Sequence, residues 1–157
     1  MRMHIVHNDD YLRSGMPVTD PEGETPLVVL LQRALRLYGR EIRKRLASHG
    51  MSDLPRSGSW VLGTLAGGEL GPQELALKLG TSKQGLSRLS QTLVDRGYAT
   101  RMPDPSDGRR VLLQLTSRGR EAAALVRLAV QSQDVRLSGL VGSPAWEELR
   151  RALARME

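Results

Sequence analysis

The hydrophobic period of the chain changes at Gly97, from the spacing of a helix to the alternation of a strand. Before Gly97, two short segments separated by Gly80 repeat apolar residues every three or four positions, which predicts two helices joined by a tight turn. After it, residues 98–102 and 111–115 read as strands on either side of a turn at 103–108. A helix-turn-helix followed by a β-hairpin is a winged helix. The predicted fold class is therefore mainly α with a small β-hairpin.

Glycine, proline and hydroxyl residues mark where the two short helices begin and end. Gly71-Pro72 opens a helix of about two turns that stops at Gly80, because proline fits the first helical position and glycine fits the end of a helix. The hydroxyls of Thr81-Ser82 can cap a second helix over residues 83–96. The turn between the helices is then about three or four residues long, as in a helix-turn-helix.

Amphipathic helices flank this region. Helical spacing predicts a long helix over residues 26–48 and a short one over residues 57–66 before it, and Thr116-Ser117 can cap another helix after the hairpin. A last helix follows Pro144, and the apolar residues expected to face inward on it are Trp146, Leu149, Leu153 and Met156. The terminal helices carry more apolar surface than a winged core can cover, so we expect a second copy to cover it in a two-fold homodimer.

These elements divide the chain into four segments. Residues 1–24 have no usable hydrophobic period and are expected to form a flexible N-terminal arm. Residues 25–52 are expected to form a dimerisation helix together with residues 119–157, which provide the C-terminal dimerisation helices. Residues 53–118 are expected to form the winged helix-turn-helix lobe that binds DNA.

The positive charge is concentrated in one segment. The chain has a formal net charge of +6, and the stretch from Lys78 to Arg120 alone accounts for that excess while the rest is balanced. A neutral body with one basic segment is the pattern expected of a protein that binds a polyanion. Charge alone leaves open the alternative of a solvated, arginine-rich face.

The second helix of the helix-turn-helix presents polar side chains that suit a DNA major groove. Its outward positions are Ser82, Lys83, Gln84, Ser87, Arg88 and Gln91. Arginine or lysine can donate two hydrogen bonds to guanine, glutamine can pair with adenine, and serine can bond phosphate. An ordinary polar helix face would look the same, so this interpretation depends on the hairpin that follows.

The hairpin tip adds two arginines beside a tight turn. Arg109 is the candidate for insertion into the minor groove, because a thin cationic loop suits its negative potential, and Arg110 is the candidate for phosphate contact. Asp107 is a poor DNA contact, so we assign it a positioning role, in which its carboxylate holds turn amides or an arginine.

Several function classes are disfavoured. The chain has no cysteine, which excludes disulfides, cysteine-ligated metals and thiol sensors, and no catalytic motif emerges, so we expect neither an enzyme nor a cofactor. His4, His7, Asp9 and Asp10 are ligand types for a transition metal, but their segment is expected to be flexible and we predict no metal site. No signal peptide or membrane span is evident, so we expect a cytoplasmic protein.

A small-molecule pocket is a weaker prediction. Tyr38, His49 and Trp60 could line a cavity for a small aromatic or apolar acid, with Arg45 to meet its carboxylate. Packing in the core or exposure to solvent is the more frequent fate of such residues.

Several short motifs resemble those of the multiple antibiotic resistance regulator (MarR) family of bacterial winged-helix transcription factors. The wing signature stands here as Asp107-Gly108-Arg109, continuing through Leu115-Thr116 to Gly119. The motifs Glu74-Leu75-Ala76 and Leu93-Val94-Asp95-Arg96-Gly97 also match, and the resemblance covers roughly residues 27–130.

This resemblance implies a triangular dimer that binds a palindromic operator in double-stranded DNA and represses nearby genes until an effector releases it. It assigns the DNA contacts of the recognition helix to Ser82, Lys83, Gln84, Ser87 and Arg88, and the wing roles to Asp107 and Arg109. Without cysteine, a thiol-based oxidant response is excluded and a small-molecule effector, or none, remains. Two alternatives stay open: a nonspecific nucleoid-type DNA binder, and a winged-helix module that binds proteins instead of DNA.

Overall fold

A computed structural model describes residues 25–156, and six helices and one two-stranded antiparallel sheet occupy that part of the chain. The elements are α1 (Leu27–Ala47), α2 (Gly58–Leu65), α3 (Pro72–Lys78), α4 (Lys83–Asp95), β1 (Ala99–Asp104), β2 (Asp107–Leu115), α5 (Ser117–Val141) and α6 (Ser143–Ala154). This order confirms the predicted fold class. The expected arm at residues 1–24 and its histidines lie outside the described residues.

The helix boundaries follow the local signals in the sequence. Gly80 ends the turn after α3 with a φ of 59°, a conformation that L side chains rarely adopt. The Ser82 hydroxyl caps α4 by accepting the Gly85 N–H at 3.1 Å. In the same way, the Thr116 hydroxyl caps α5 by accepting the Gly119 N–H at 3.0 Å. Each bond satisfies a helix N–H that has no partner within its own helix.

The buried core lies where α2, α3, α4, the base of the hairpin and α5 meet. Its largest fully buried side chains are Tyr98, Leu62, Leu75, Leu86, Leu93, Leu113 and Val61. Burying each such aliphatic side chain stabilises the fold by roughly 1.5–3 kcal/mol. The chain forms two compact units, one ending at Arg36 and one beginning at Leu37, and this core belongs to the second.

The hairpin is longer and less regular than its sequence pattern predicts. The strands continue beyond residues 98–102 and 111–115 and meet in a tight turn, rather than a turn over residues 103–108. Asp104 closes that turn because its carboxylate accepts the Ser106 N–H at 2.8 Å and the Ser106 hydroxyl at 2.6 Å. An apolar period cannot reveal strand residues near a tip that is polar on both faces.

The last helix leaves its apolar face outside the core. Within the described residues α6 has no buried residue: Trp146 is half-buried, while Leu149, Leu153 and Met156 are exposed. The prediction that these residues face inward is therefore wrong for a single chain, because a hydrophobic period identifies a face and not what covers it. None of the helices described here is long and apolar enough to cross a lipid bilayer.

Candidate nucleic-acid interface

The predicted recognition residues all lie exposed along one side of α4. Two of them already make bonds, since Ser82 caps the helix and the Gln91 side-chain amide donates to Asp95 Oδ1 at 2.6 Å. Within residues 25–156, the remaining four make no side-chain hydrogen bond or ion pair; they are Lys83, Gln84, Ser87 and Arg88. Their donors and acceptors are therefore free to meet a base edge or a phosphate without breaking an internal bond.

Gly85 stands beside the helix cap. A Cβ atom built on it would lie 3.1 Å from the Ser82 hydroxyl oxygen, the atom that accepts the Gly85 N–H. A side chain at this position would therefore press on the bond that starts α4. The absence of a Cβ also leaves the first turn of the helix open to close approach by another molecule.

The arginines of the wing occupy an irregular stretch of β2. Pro103 pairs with Val111, but the next residue, Asp104, pairs with Asp107. This jump leaves residues 108–110, which include both wing arginines, without a partner on β1. Such irregularities bend a strand and change the direction of its side chains, and both arginines are exposed.

Two aspartates shape the tip of the wing. Asp107 Oδ1 accepts the Arg109 N–H at 3.1 Å, which is the kind of contact its predicted positioning role requires. Asp104, which the sequence argument did not single out, holds the other side of the turn through Ser106. The hydroxyl and N–H of Ser106 lower the pKa of the Asp104 carboxyl, because both donate to its charged form. The Asp-Pro-Ser run at 104–106 is a turn signal that could have identified it.

The four residues predicted to line an effector pocket are not gathered around either cavity described here. The Tyr38 hydroxyl donates to Asp134 at 2.5 Å, and burial together with this bond raises its pKa. Arg45 pairs with Glu41 at 3.6 Å, and His49 is exposed at the end of α1. Trp60 alone of the four lines both cavities.

The larger cavity, about 710 Å³, lies between α2, the end of β2 and α5. The residues that line it include Trp60, Leu65 and Val130, together with two arginines, Arg120 and Arg127. Arg120 is held by the Leu115 carbonyl at 2.8 Å. Apolar walls with a few cations suit a small aromatic or apolar acid. A second cavity of about 580 Å³ is also lined by Trp60 and lies against α4.

Comparison with known proteins identifies the family. The sequence profile of the MarR family matches residues 52–110, from the start of the lobe to the wing. A transcriptional regulator of the helix-turn-helix type from Mycobacterium bovis is 32% identical over 102 residues, which cover 64% of this chain and 69% of that protein. The chain belongs to the MarR family. It is therefore a DNA-binding transcription regulator and not an enzyme.

Three further proteins extend the similarity over most of the chain. The exopolysaccharide II synthesis transcriptional activator ExpG of Rhizobium meliloti is 27% identical over 142 residues, covering 85% of this chain and 73% of that protein. The transcriptional repressor CouR, solved bound to a 23-mer DNA duplex, is 26% identical with a TM-score of 0.67, covering 83% of this chain and 92% of that one. A MarR family protein of Mycobacterium tuberculosis, solved with salicylic acid, is 26% identical with a TM-score of 0.58. The match covers 87% of this chain and 99% of that one.

Proposed function

We propose that this regulator is a homodimeric repressor that binds a palindromic operator and is released from it by a small aromatic or apolar acid. The observation that carries the proposal is the combination of two exposed groups in one lobe. Among residues 25–156, four α4 side chains have no hydrogen-bond or ion-pair partner, and the two wing arginines are exposed on an unpaired stretch of strand. Together they suit a major groove and the adjacent minor groove.

In this arrangement each side chain has a stated role. Arg88 and Lys83 donate to guanine edges, and Gln84 donates to and accepts from an adenine edge. Ser82, Ser87 and Gln91 contact phosphates or bases at the ends of the helix, in the case of Gln91 after exchanging its bond with Asp95. Arg109 enters the minor groove and Arg110 neutralises a phosphate, while Asp107 positions the wing.

A second copy of the chain is the proposed occupant of the exposed apolar faces. The first half of α1 exposes Leu27, Leu31 and Leu35, and the end of α5 and α6 expose further leucines such as Leu140 and Leu153. Exposed large apolar residues repeated along three helices indicate protein-protein contact. We therefore assign residues 25–52 and 119–157 to the dimer interface and residues 53–118 to DNA binding. A two-fold dimer would meet half-sites about one helical turn apart.

The larger cavity is the proposed effector site. The aromatic ring of the effector would lie against Trp60, and the carboxylate of the effector would contact Arg127. In this proposal Arg127 takes the place of Tyr38, Arg45 and His49, which were predicted to surround the ligand. Trp146→Phe leaves Trp60 as the only tryptophan, so titration with salicylate should change the emission of that one residue and release bound operator. Arg127→Ala should weaken the salicylate response, whereas Arg136→Ala, on the same helix but away from the cavity, should leave it unchanged.

We further propose that the protein acts in the cytoplasm, where its binding to the operator would block access of RNA polymerase. Because ExpG is named an activator, the sign of control needs its own test. Expression of a reporter gene placed behind the selected operator should rise when the gene for this protein is deleted. A fall in expression would instead show that the protein is an activator.

The experiment that tests the proposal is selection of the purified protein on a random double-stranded DNA library at near-physiological salt. An enriched inverted repeat with half-sites about one helical turn apart supports an operator-reading dimer. Bound DNA without a motif favours the nucleoid-type alternative, whose affinity comes from phosphate contacts alone. No binding, with and without salicylate, favours the protein-interaction module.

A further inference from the structure

Asp53, in the loop between α1 and α2, joins parts of the lobe that are far apart in sequence. Its carboxylate Oδ1 accepts the Tyr98 hydroxyl at 2.7 Å and the Arg118 Nη2 at 2.8 Å. Its backbone carbonyl accepts a further bond from the Arg96 guanidinium. One residue therefore contacts the end of the recognition helix α4, the entry to the wing and the first turn of α5.

Arg118 forms the other side of this junction. It donates to the Arg96 carbonyl at 2.8 Å, at the end of α4. Its guanidinium also lies over the Tyr98 ring, 4.4 Å from the centroid, in a cation-π contact. The planar guanidinium thus donates to three acceptors, the Arg96 carbonyl, Asp53 and the Tyr98 hydroxyl, and stacks on a ring at once. A lysine could not reproduce this geometry.

Backbone bonds hold the same junction independently of Asp53. The Thr116 hydroxyl donates to the Gly97 carbonyl at 2.6 Å, and the Thr116 N–H donates to the Tyr98 carbonyl at 3.2 Å. These bonds attach the start of α5 to the turn after α4. Removing the Asp53 carboxylate should therefore loosen the junction without unfolding it.

The degree of exposure argues that this cluster does more than stabilise the fold. The side chains of Arg118 and Asp53 are 40% and 43% exposed, and ion pairs exposed to this degree contribute little to the free energy of folding. Its bonds instead restrict orientation, because they connect the loop between α1 and α2 with the end of α4 and the first turn of α5.

We propose that Asp53, Tyr98 and Arg118 form a positioning cluster that fixes the angle between the recognition helix α4 and the helix α5. The proposal rests on the proposed function, in which α5 belongs to the dimer interface. In such a dimer, the angle between α4 and α5 sets the separation of the two recognition helices. A loosened junction would let each lobe adopt several orientations, so that one half-site spacing would no longer be preferred.

The test uses the full-length protein and the operator that the wild type selects. Operators with one or two base pairs added to or removed from the centre are compared for Asp53→Ala, Tyr98→Phe and Arg118→Ala. We expect about tenfold weaker binding to the best spacing, within the range that mutations in coupling networks produce. Binding to the altered spacings and to random DNA should remain within roughly twofold, since phosphate contacts supply that affinity.

Two further variants separate positioning from stability. Asp53→Asn keeps an oxygen that can accept from Tyr98 and Arg118, so it should lie closer to the wild type than Asp53→Ala. Glu74→Ala removes the carboxylate of an exposed pair with Lys78 on α3, 3.7 Å apart, and should leave the spacing profile unchanged. If Asp53→Ala does not fold, Tyr98→Phe, which removes one hydroxyl, makes the same test.

The outcomes distinguish this proposal from the one it rests on. A wild type that selects no inverted repeat overturns both. A wild type that selects one, with variants that keep its spacing preference, overturns the positioning cluster and leaves the proposed function standing. Equal losses on all DNA, accompanied by a lower melting temperature, would assign the cluster a purely structural role and also overturn the proposal.

Discussion

Gly119, in the first turn of α5, is a position where helix propensity and tertiary packing predict opposite effects of an alanine substitution on stability. A Cβ atom built on this residue would lie 1.9 Å from the Tyr98 carbonyl oxygen. Unstrained contacts between a carbon and a carbonyl oxygen are about 3.3 Å or longer, so the two segments would have to separate by about 1.4 Å. Propensity alone predicts that Gly119→Ala stabilises the helix by up to about 1 kcal/mol.

The expected cost exceeds that gain. Separating the segments would weaken the cap bond from the Gly119 N–H to Thr116 and the bond from the Thr116 N–H to Tyr98. The cap contributes about 1 kcal/mol and the backbone bond about as much again. Repacking around an overcrowded site adds roughly 1–3 kcal/mol. After subtracting the propensity gain, we expect a net loss of about 2–4 kcal/mol.

Thermal unfolding followed by circular dichroism measures this effect. The expected loss corresponds to a melting temperature lower by roughly 5–15 °C for a chain of this size. Gly63→Ala is the matched control, because Gly63 is also helical and no heavy atom of another described segment lies within 4 Å of its built Cβ; it should be neutral or slightly stabilising. A Gly119→Ala protein as stable as the wild type would refute the close approach of α5 to the wing entry.

Three further predictions concern the proposed interface and the junction beside it. Arg109→Ala should weaken binding most at operators with A·T-rich flanks, where the narrow minor groove attracts arginine, and competition between flank variants measures this. Arg88→Ala should reduce the preference for one base at one operator position by about 1–3 kcal/mol. If the library selection with this variant returns a motif in which every position is still specified, the assignment is wrong. Burial and the bond to Asp53 raise the pKa of Tyr98 to about 12, so the protonated native state is favoured and stability should fall from about pH 10 upward. Denaturant unfolding across that pH range should show that the free energy of unfolding falls less steeply in Tyr98→Phe than in the wild type. Identical dependence on pH in the two proteins would contradict the cause given for the raised pKa.

Local signals explain why the helix boundaries could be predicted from the sequence. The predicted helix over residues 26–48 is observed as Leu27–Ala47, and Ser82 and Thr116 cap the helices they were expected to cap. Each of these signals acts within a few residues of the chain. Glycine, proline and hydroxyl groups impose the same backbone preference in most surroundings, so sequence reasoning finds them.

Contacts between distant segments could not be predicted in the same way. Asp53 and Arg118 lie 65 positions apart, yet their side chains meet at 2.8 Å, and nothing in either neighbourhood indicates the other. The pocket prediction shows the same difficulty, because Tyr38 had a suitable ring but its hydroxyl is bonded to Asp134. Residue type can indicate which chemistry is available, but the fold determines which side chains are already engaged.

The ratio of two dissociation constants, measured at one near-physiological salt concentration, shows directly whether this protein reads a DNA sequence. One is for the selected inverted repeat, and the other is for a duplex of the same length and base composition in scrambled order. We expect a ratio of about 10³ or more in favour of the repeat, as specific regulators show. A ratio near one would contradict it, because the exposed residues of α4 would then contact phosphates without reading bases.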